Sequence, residues 1–205
     1  MQLTRLFARC LDAPYLQAEK SANYYSERIG GLLYIYLQSS DGYEDWKHNF
    51  DFPARPYRRM GKTVWYAHRG FTKVWRAIEP HIAPVIADPG LQGIVTVGYS
   101  HGGALAVFCH EYIWYHRPDL RLRIHGYSFG GPRVLWGNPT DEIRSRWNRF
   151  TVVRNIDDLI THLPPRALGY SHVGTLLQIG EKGKYSRIDA HRKESIQTEL
   201  KAARM

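Results

Sequence analysis

The sequence predicts an α/β fold in which a mostly parallel central sheet is covered by helices on both faces. Short apolar segments rich in β-branched residues alternate along the chain with longer segments whose apolar residues recur at helical spacing. Such alternation favours parallel strands joined by helices, and sheets of this kind form their sites at the carboxyl ends of the strands. The 205 residues suffice for one core, so we expect a single domain over residues 1–205.

Two strands and a helix are predicted in the first part of the chain. Residues 31–37 (GLLYIYL) and 63–67 (TVWYA) are typical of strands. Residues 71–86 have helical spacing, and we expect Pro80 and Pro84 to split or kink this helix.

The second part of the chain continues the alternation. Strands are predicted over residues 122–127, 149–153 and 173–179, and the first of these is followed by the turn SFGGPR. A terminal helix is predicted over residues 194–203.

Between these parts, the stretch GIVTVGYSHGGALAVF over residues 93–108 places a serine where a strand becomes a helix. A turn that sharp requires small residues two positions before and two after its centre, and Gly98 and Gly102 meet that requirement. The turn exposes the Ser100 hydroxyl above the sheet, and the following helix directs backbone N–H groups to the same place. Ser100 is therefore predicted to be a nucleophile, with the His101 N–H as one donor to an oxyanion.

A serine nucleophile requires a base and an orienting carboxylate, which on this architecture should follow it in the order acid, then histidine. Asp157 and Asp158 follow the strand predicted to end near residue 153 and are the best acid candidates. Among the histidines, His162 is expected to pack locally. The pattern alone leaves His172 and His191 open as the base.

Five segments together resemble the class 3 lipase family. In chain order they are AHRGF (67–71), VGYSHGGALA (97–106), SFGGPRV (128–134), RNIDDLITHLPP (154–165) and YSHVGTLLQI (170–179). Members of this family are serine hydrolases, so the resemblance implies an α/β-hydrolase fold and a Ser-His-Asp triad. It implies no metal and no organic cofactor.

The resemblance also selects among the candidate site residues. Ser100 falls on the family's nucleophile, and Asp158 on its acid because Leu163 of the Leu-Pro motif follows five residues later. The segment Asp-Ala-His ending at His191 resembles the family's catalytic histidine segment, whereas His172 falls on a position that the family uses structurally.

The second oxyanion donor and a cover over the site are also implied by the resemblance. The family takes the donor from a segment after an early strand, and the counterpart LQSSDGYEDW places Ser40 there, although Gln38 and Ser39 replace the usual arginine and glycine. The neighbourhood of about residues 41–62 corresponds to a lid. Its aromatic residues would cover the site or contact lipid, or alternatively pack into the core.

These assignments predict a lipase or esterase that cleaves carboxylic esters of acylglycerols or phospholipids through an acyl-enzyme, with a lipid or a small ester as substrate. Two alternatives remain. The same triad could cleave a thioester or a peptide, or the chain could be a binding module that keeps the fold without the chemistry.

The formal net charge of +9 is spread along the chain without a basic helix or a zinc-finger spacing, so no nucleic-acid partner is expected. General solubility, or peripheral contact with an anionic membrane or lipid surface, accounts for the charge equally well. The N-terminal segment MQLTRLFARCLDAPYL lacks a continuous apolar stretch before a cleavage site. A cytoplasmic location is therefore expected, unless export proceeds without a signal.

Overall fold

Seven strands form the central sheet of the computed structural model, which describes residues 2–19, 22–38, 51–59 and 61–205. In spatial order they are β1 (Leu16–Glu19), β2 (Ala22–Ile29), β3 (Leu32–Gln38), β6 (Gly93–Tyr99), β7 (Ile124–Phe129), β9 (Phe150–Asn155) and β11 (Thr175–Ile179). Pairing is antiparallel from β1 to β3 and parallel from β3 to β11. The mostly parallel sheet predicted from the sequence is confirmed.

Helices cover both faces of this sheet. They are α1 (Leu3–Asp12), α2 (Arg69–Ile86), α3 (His101–His116), α4 (Asp141–Ser145) and α5 (Lys193–Ala202). Apolar residues of α1 and α5 pack with side chains of β3, β6, β7, β9 and β11 in one cluster. Those of α2 and α3 form a larger cluster on the other face. Because α3 lies between the sheet and α2, its residues from His101 to Ile113 are buried without an exposed face.

A second, four-stranded antiparallel sheet adjoins the larger cluster. It has the order β10 (Tyr170–Ser171), β8 (Leu135–Trp136), β5 (Lys62–His68) and β4 (Ala54–Arg59). Tyr57 of β4 and Trp65 of β5 are cross-strand neighbours, and both rings pack on Phe108 of α3. These aromatic contacts join the second sheet to the helix that begins beside Ser100.

Helix α2 continues without a break through Pro80 and Pro84, so the helix is not split there, and a kink at the prolines stays a prediction. Each proline removes one N–H donor from the helix. The buried face of α2 nevertheless repeats at helical spacing, and burial of Ile78, Ile82 and Ile86 against the core stabilises the helix across both prolines.

The predicted cover segment of about residues 41–62 lies partly outside the described residues, which resume at Asp51. Of its described part, β4 belongs to the second sheet and Tyr57 is fully buried, so this aromatic residue packs into the core. A cover formed by the remainder stays a prediction.

No helix within the described ranges is long and apolar enough to cross a membrane. Both cysteines, Cys10 and Cys109, are buried free thiols.

Candidate active site

Ser100 occupies the single residue between the end of β6 and the start of α3. Its backbone has φ 52° and ψ −121°, a conformation that a residue with a side chain rarely adopts. The turn is tight, since a Cβ on Gly98 would lie 2.0 Å from the Gly102 carbonyl oxygen. Ser100 N–H donates to the carbonyl of Phe129 on neighbouring β7 at 2.9 Å, which fixes the turn to the sheet.

A continuous chain of hydrogen bonds connects Ser100 to His191 and Asp158. The Ser100 Oγ lies 2.8 Å from His191 Nε2, and His191 Nδ1 lies 2.9 Å from Asp158 Oδ2. Asp158 is fully buried, so its carboxylate requires partners. With Nδ1–H donating to the carboxylate, Nε2 of the neutral imidazole is the acceptor for the serine hydroxyl.

The loop after β9 holds the Asp158 carboxylate in this orientation. Its second oxygen, Oδ1, accepts the Ile160 N–H at 2.9 Å. The Asp158 carbonyl accepts two further bonds, from Thr161 Oγ1 at 2.8 Å and from His162 Nδ1 at 2.8 Å. His162 therefore packs locally against the acid loop, as its position in the sequence predicted.

His172 and Asp157, the alternative candidates, bond elsewhere. His172 Nε2 donates to the Thr161 carbonyl at 2.7 Å, and burial lowers the pKa of His172 to about 4. It is therefore a neutral support of the acid loop at ordinary pH. Asp157 Oδ2 accepts the Gly183 N–H at 2.6 Å on the surface.

Two residues that the sequence analysis did not identify contact the histidine. Tyr99 Oη donates to the His191 carbonyl at 2.7 Å, and the two rings stack with centroids 5.4 Å apart. Gly130, at the end of β7, lies so close that an added Cβ would be 3.2 Å from both Asp158 Oδ2 and His191 Nδ1. Neither position has a periodic signal. Gly130 could have been noticed only as part of the SFGGPR turn.

The oxyanion donors are described in part. His101 is the first residue of α3, and it is buried beside Phe71, the ring centroids being 4.9 Å apart. Ser40, the second predicted donor, lies outside the described residues. Over the described part of the chain, no three His, Cys, Asp or Glu side chains are grouped so that they could hold a metal ion.

A family model decides the classification. The model described as Lipase (class 3) matches residues 34–168, a segment that includes Ser100 and Asp158. The chain belongs to the class 3 lipase family. His191 lies beyond the matched segment, so its place beside Ser100 rests on the geometry alone.

Curated and solved relatives agree with membership of the class 3 lipase family. The chain is 26% identical over 149 residues to a lipase of Rhizomucor miehei, covering 69% of this chain and 40% of that protein. It is 26% identical over 147 residues to the secreted mono- and diacylglycerol lipase 1 of Fusarium solani, covering 68% and 41%. It therefore spans about two fifths of the length of these relatives.

Among solved structures, the lipase of Rhizopus microsporus var. chinensis superposes with a TM-score of 0.71 at 20% identity, covering 91% of this chain and 71% of that one. This likeness establishes the α/β-hydrolase fold that the resemblance implied.

The comparison contradicts the cytoplasmic location expected from the N-terminal sequence, because the Fusarium solani relative is by name a secreted lipase. The expectation was wrong because it inferred the location of the protein from the lack of a signal-peptide pattern in residues 1–16. Residues 3–12 instead form α1, whose Leu6, Phe7 and Cys10 are buried against the sheet, so this segment is part of the folded core.

Proposed function

We propose that this chain is a serine hydrolase that cleaves carboxylic esters of lipids through a covalent acyl-enzyme. The observation that carries the proposal is the hydrogen-bond chain from Ser100 Oγ through His191 to the buried Asp158 carboxylate. A serine hydroxyl is a weak nucleophile by itself, and an adjacent imidazole oriented by a carboxylate activates it.

In the first half-reaction, the Ser100 oxygen attacks the ester carbonyl carbon while His191 Nε2 accepts the hydroxyl proton. The Asp158 carboxylate stabilises the imidazolium that forms. Negative charge develops on the carbonyl oxygen, and backbone N–H groups of His101 and Ser40 are the proposed donors to it. The tetrahedral intermediate then expels the alcohol, which takes its proton from His191 Nε2, and Ser100 remains acylated.

In the second half-reaction, water replaces the alcohol. His191 Nε2 accepts a proton from the water as its oxygen attacks the acyl carbon, and the same nitrogen returns the proton to Ser100 Oγ as the acid leaves. The cycle as proposed uses groups of this chain and water.

The lipid character of the substrate is inferred from the family and from the names of the relatives, which are lipases and a mono- and diacylglycerol lipase. The predicted cover, formed by the part of this segment outside the described residues, would close over an acyl chain. The net charge of +9 supports peripheral contact with an anionic lipid surface.

The test is hydrolysis of a p-nitrophenyl ester series by the wild type, Ser100→Ala, His191→Ala and Asp158→Asn. Each variant is expected to lose kcat by about 10³-fold or more, because the three groups act as one unit. Ser145→Ala is the control, since Ser145 is an exposed serine whose hydroxyl donates to the Glu142 carbonyl rather than to a residue of the triad. It should keep wild-type turnover.

A phosphonate probe supplies the complementary measurement. Labelling of the wild type and Ser145→Ala, but not of Ser100→Ala, is expected. A wild type that is inert to the probe and to every ester would contradict the proposal and favour a binding module. Turnover of thioesters or peptides but not of oxygen esters would contradict the substrate class alone.

A further inference from the structure

Three arginines, Arg133, Arg154 and Arg166, lie together beside the loop that carries Asp158. None of them forms an ion pair with a carboxylate among the described residues. Arg133 Nη1 donates to two backbone carbonyls, of His162 at 2.5 Å and of Pro164 at 2.9 Å. Arg154 Nη1 lies 3.5 Å from His162 Nε2.

Two other buried arginines of the chain, by contrast, have acidic partners. Arg59 and Arg146 are also buried, and both pair with Glu111 at 3.1 and 2.7 Å. Buried charge is normally paired in this way, because an unpaired ion loses its hydration without compensation. The cluster beside the acid loop is therefore a concentration of positive charge with no directly paired carboxylate among the described residues.

The positive charges of the three arginines repel one another. Burial, followed by the charges of Arg166 and Arg154, lowers the pKa of Arg133 to about 10. Burial and the charge of Arg166 also lower the pKa of Arg154. An anion placed among the three guanidinium groups would relieve this repulsion.

The cluster has donors that such an anion can reach. Arg166 is exposed in the turn Arg166–Leu168, and Arg154 is only half-buried. The Nε atoms of Arg133 and Arg154 are buried and have no hydrogen-bond acceptor, as is also true of Arg59 and Arg146, so the donors within reach of an anion are the outer N–H groups of Arg154 and Arg166. His162, the side chain that faces Arg154, is not a carboxylate: its Nδ1 donates to the Asp158 carbonyl, and its Nε2 lies 3.5 Å from Arg154 Nη1.

We propose that Arg154 and Arg166, with Arg133 behind them, bind a phosphate group. The planar guanidinium group donates two parallel hydrogen bonds that match phosphate oxygens, which makes paired arginines well suited to this ligand. The phosphate is either that of a phospholipid ester undergoing hydrolysis or phosphate free in solution.

The position of the cluster connects it to the reaction. Arg154 lies close enough to Asp158 for the carboxylate charge to act on it, and Asp158 bonds directly to His191. A phosphate held by Arg154 and Arg166 would therefore lie beside the loop that carries the catalytic acid. The inference that the phosphate belongs to a substrate rests on the proposed ester hydrolysis, and it selects phospholipids from the predicted class of lipid esters.

The first measurement is the ratio of kcat/KM for dioleoylphosphatidylcholine to that for diolein, both in mixed detergent micelles. Arg166→Gln is expected to lower this ratio by about tenfold, because a hydrogen bond to a charged group is lost, and Arg154→Gln/Arg166→Gln by more. Arg149→Gln is the matched control. It removes the same charge from an exposed residue at the opposite end of β9, and its ratio should equal that of the wild type.

The second measurement is calorimetric titration with inorganic phosphate, which requires no turnover. Binding to the wild type and Arg149→Gln, weakened at least about tenfold in Arg166→Gln, is expected. If the substrate ratio does not change but this binding is lost, the site exists and its ligand is free phosphate. If Arg166→Gln and the double variant match the wild type in both measurements, the proposal is overturned.

The Arg166→Gln variant and the phosphate titration distinguish a loss of the proposed site from a loss of folding or of catalysis. Arg166 is exposed and its side chain forms no bond among the described residues, so Arg166→Gln should fold even if the double variant does not. If the wild type hydrolyses no ester, the proposed function fails. The titration with phosphate still decides whether the site exists.

Discussion

At the scale of single residues, Gly130 limits the space around the Asp158–His191 hydrogen bond. Its φ of +60° lies in the left-handed region, and an added Cβ would be 3.2 Å from Asp158 Oδ2 and His191 Nδ1. Gly130→Ala is expected to cost about 1–2 kcal/mol of stability from its backbone conformation. Because the new methyl group also crowds the hydrogen bond, we expect kcat for p-nitrophenyl esters to fall about tenfold, roughly the loss that follows a small misplacement of reacting groups.

The variant Gly137→Ala separates the backbone cost in stability from the crowding of the triad hydrogen bond. Gly137 has φ +79°, yet no atom lies within 4 Å of its added Cβ. Urea unfolding should show a similar loss of stability in both variants, whereas kcat should fall only in Gly130→Ala. Equal kcat values in the two variants would show that the contact with the triad is unimportant.

Tyr99 positions His191 from the residue directly before the nucleophile. Its hydroxyl holds the His191 carbonyl at 2.7 Å while its ring stacks on the imidazole. Tyr99→Phe removes the hydroxyl and keeps the ring, so kcat should fall about threefold to tenfold, the value of one hydrogen bond, with KM unchanged. Tyr127→Phe on β7 is the control, and steady-state kinetics on a soluble ester compares them. A changed KM with constant kcat would contradict a positioning role.

The residues of the site differ in how far the sequence could predict them. Ser100 lies in a local motif whose strand, turn and helix are all encoded within 16 residues. His172 and His191 both flank the last strand, and local pattern could not choose between them. The choice depends on the chain after β11, which turns back through Asp189–His191 and places His191 on Tyr99.

At the scale of elements, Glu111 of α3 joins separate parts of the fold. Its carboxylate is fully buried and bonds to Arg59 of β4 at 3.1 Å and to Arg146, which follows α4, at 2.7 Å. One carboxylate between two buried guanidinium groups therefore connects the second sheet, α3 and α4.

Glu111→Gln is expected to lower the free energy of unfolding by about 3–5 kcal/mol, because two buried arginines lose their shared counter-charge. Glu142→Gln is a matched control. Glu142 also pairs with Arg146, at 3.4 Å, but its side chain is 78% exposed, and exposed pairs contribute about 1 kcal/mol or less. Urea denaturation measures the free energy of unfolding of both variants. A small effect of Glu111→Gln would mean that the remaining carboxylates, Glu79 beside Arg59 and Glu142 beside Arg146, compensate the two arginines.

The elements that the sequence predicted are those with a local signal. The strand and helix around Ser100 and the strand at β9 have continuous apolar runs. The second sheet was not predicted, because β8 and β10 have only two residues each and pair with partners far away in the chain. Helix α1 was not predicted, because the N-terminal segment was interpreted only in terms of a signal peptide; in the structure, Arg9 of this helix pairs with Glu27 on β2.

At the scale of the whole molecule, buried histidines connect stability to pH. Burial lowers the pKa of His110 to about 3 and that of His172 to about 4, from an ordinary value of 6.5. Burial also lowers the pKa of His116 and of His125. Below pH 6.5 the unfolded chain binds protons that the native protein does not, so acid favours unfolding until the pH reaches the native values.

We therefore expect the free energy of unfolding to fall as the pH is lowered from about 6.5 to about 5, by on the order of 2 kcal/mol for each fully shifted histidine. Carboxylates such as Glu27 and Asp51 have pKa values below their ordinary 4.5 and 3.8, so their titration contributes mainly at lower pH.

His172→Gln keeps an amide donor for the Thr161 carbonyl but cannot titrate. It should reduce the slope of stability against pH in this interval, whereas His81→Gln, at an exposed position, should not. Urea denaturation at pH 7 and pH 5 measures the slope, and equal slopes for His172→Gln and the wild type would show that His172 is protonated in the native protein already at pH 5.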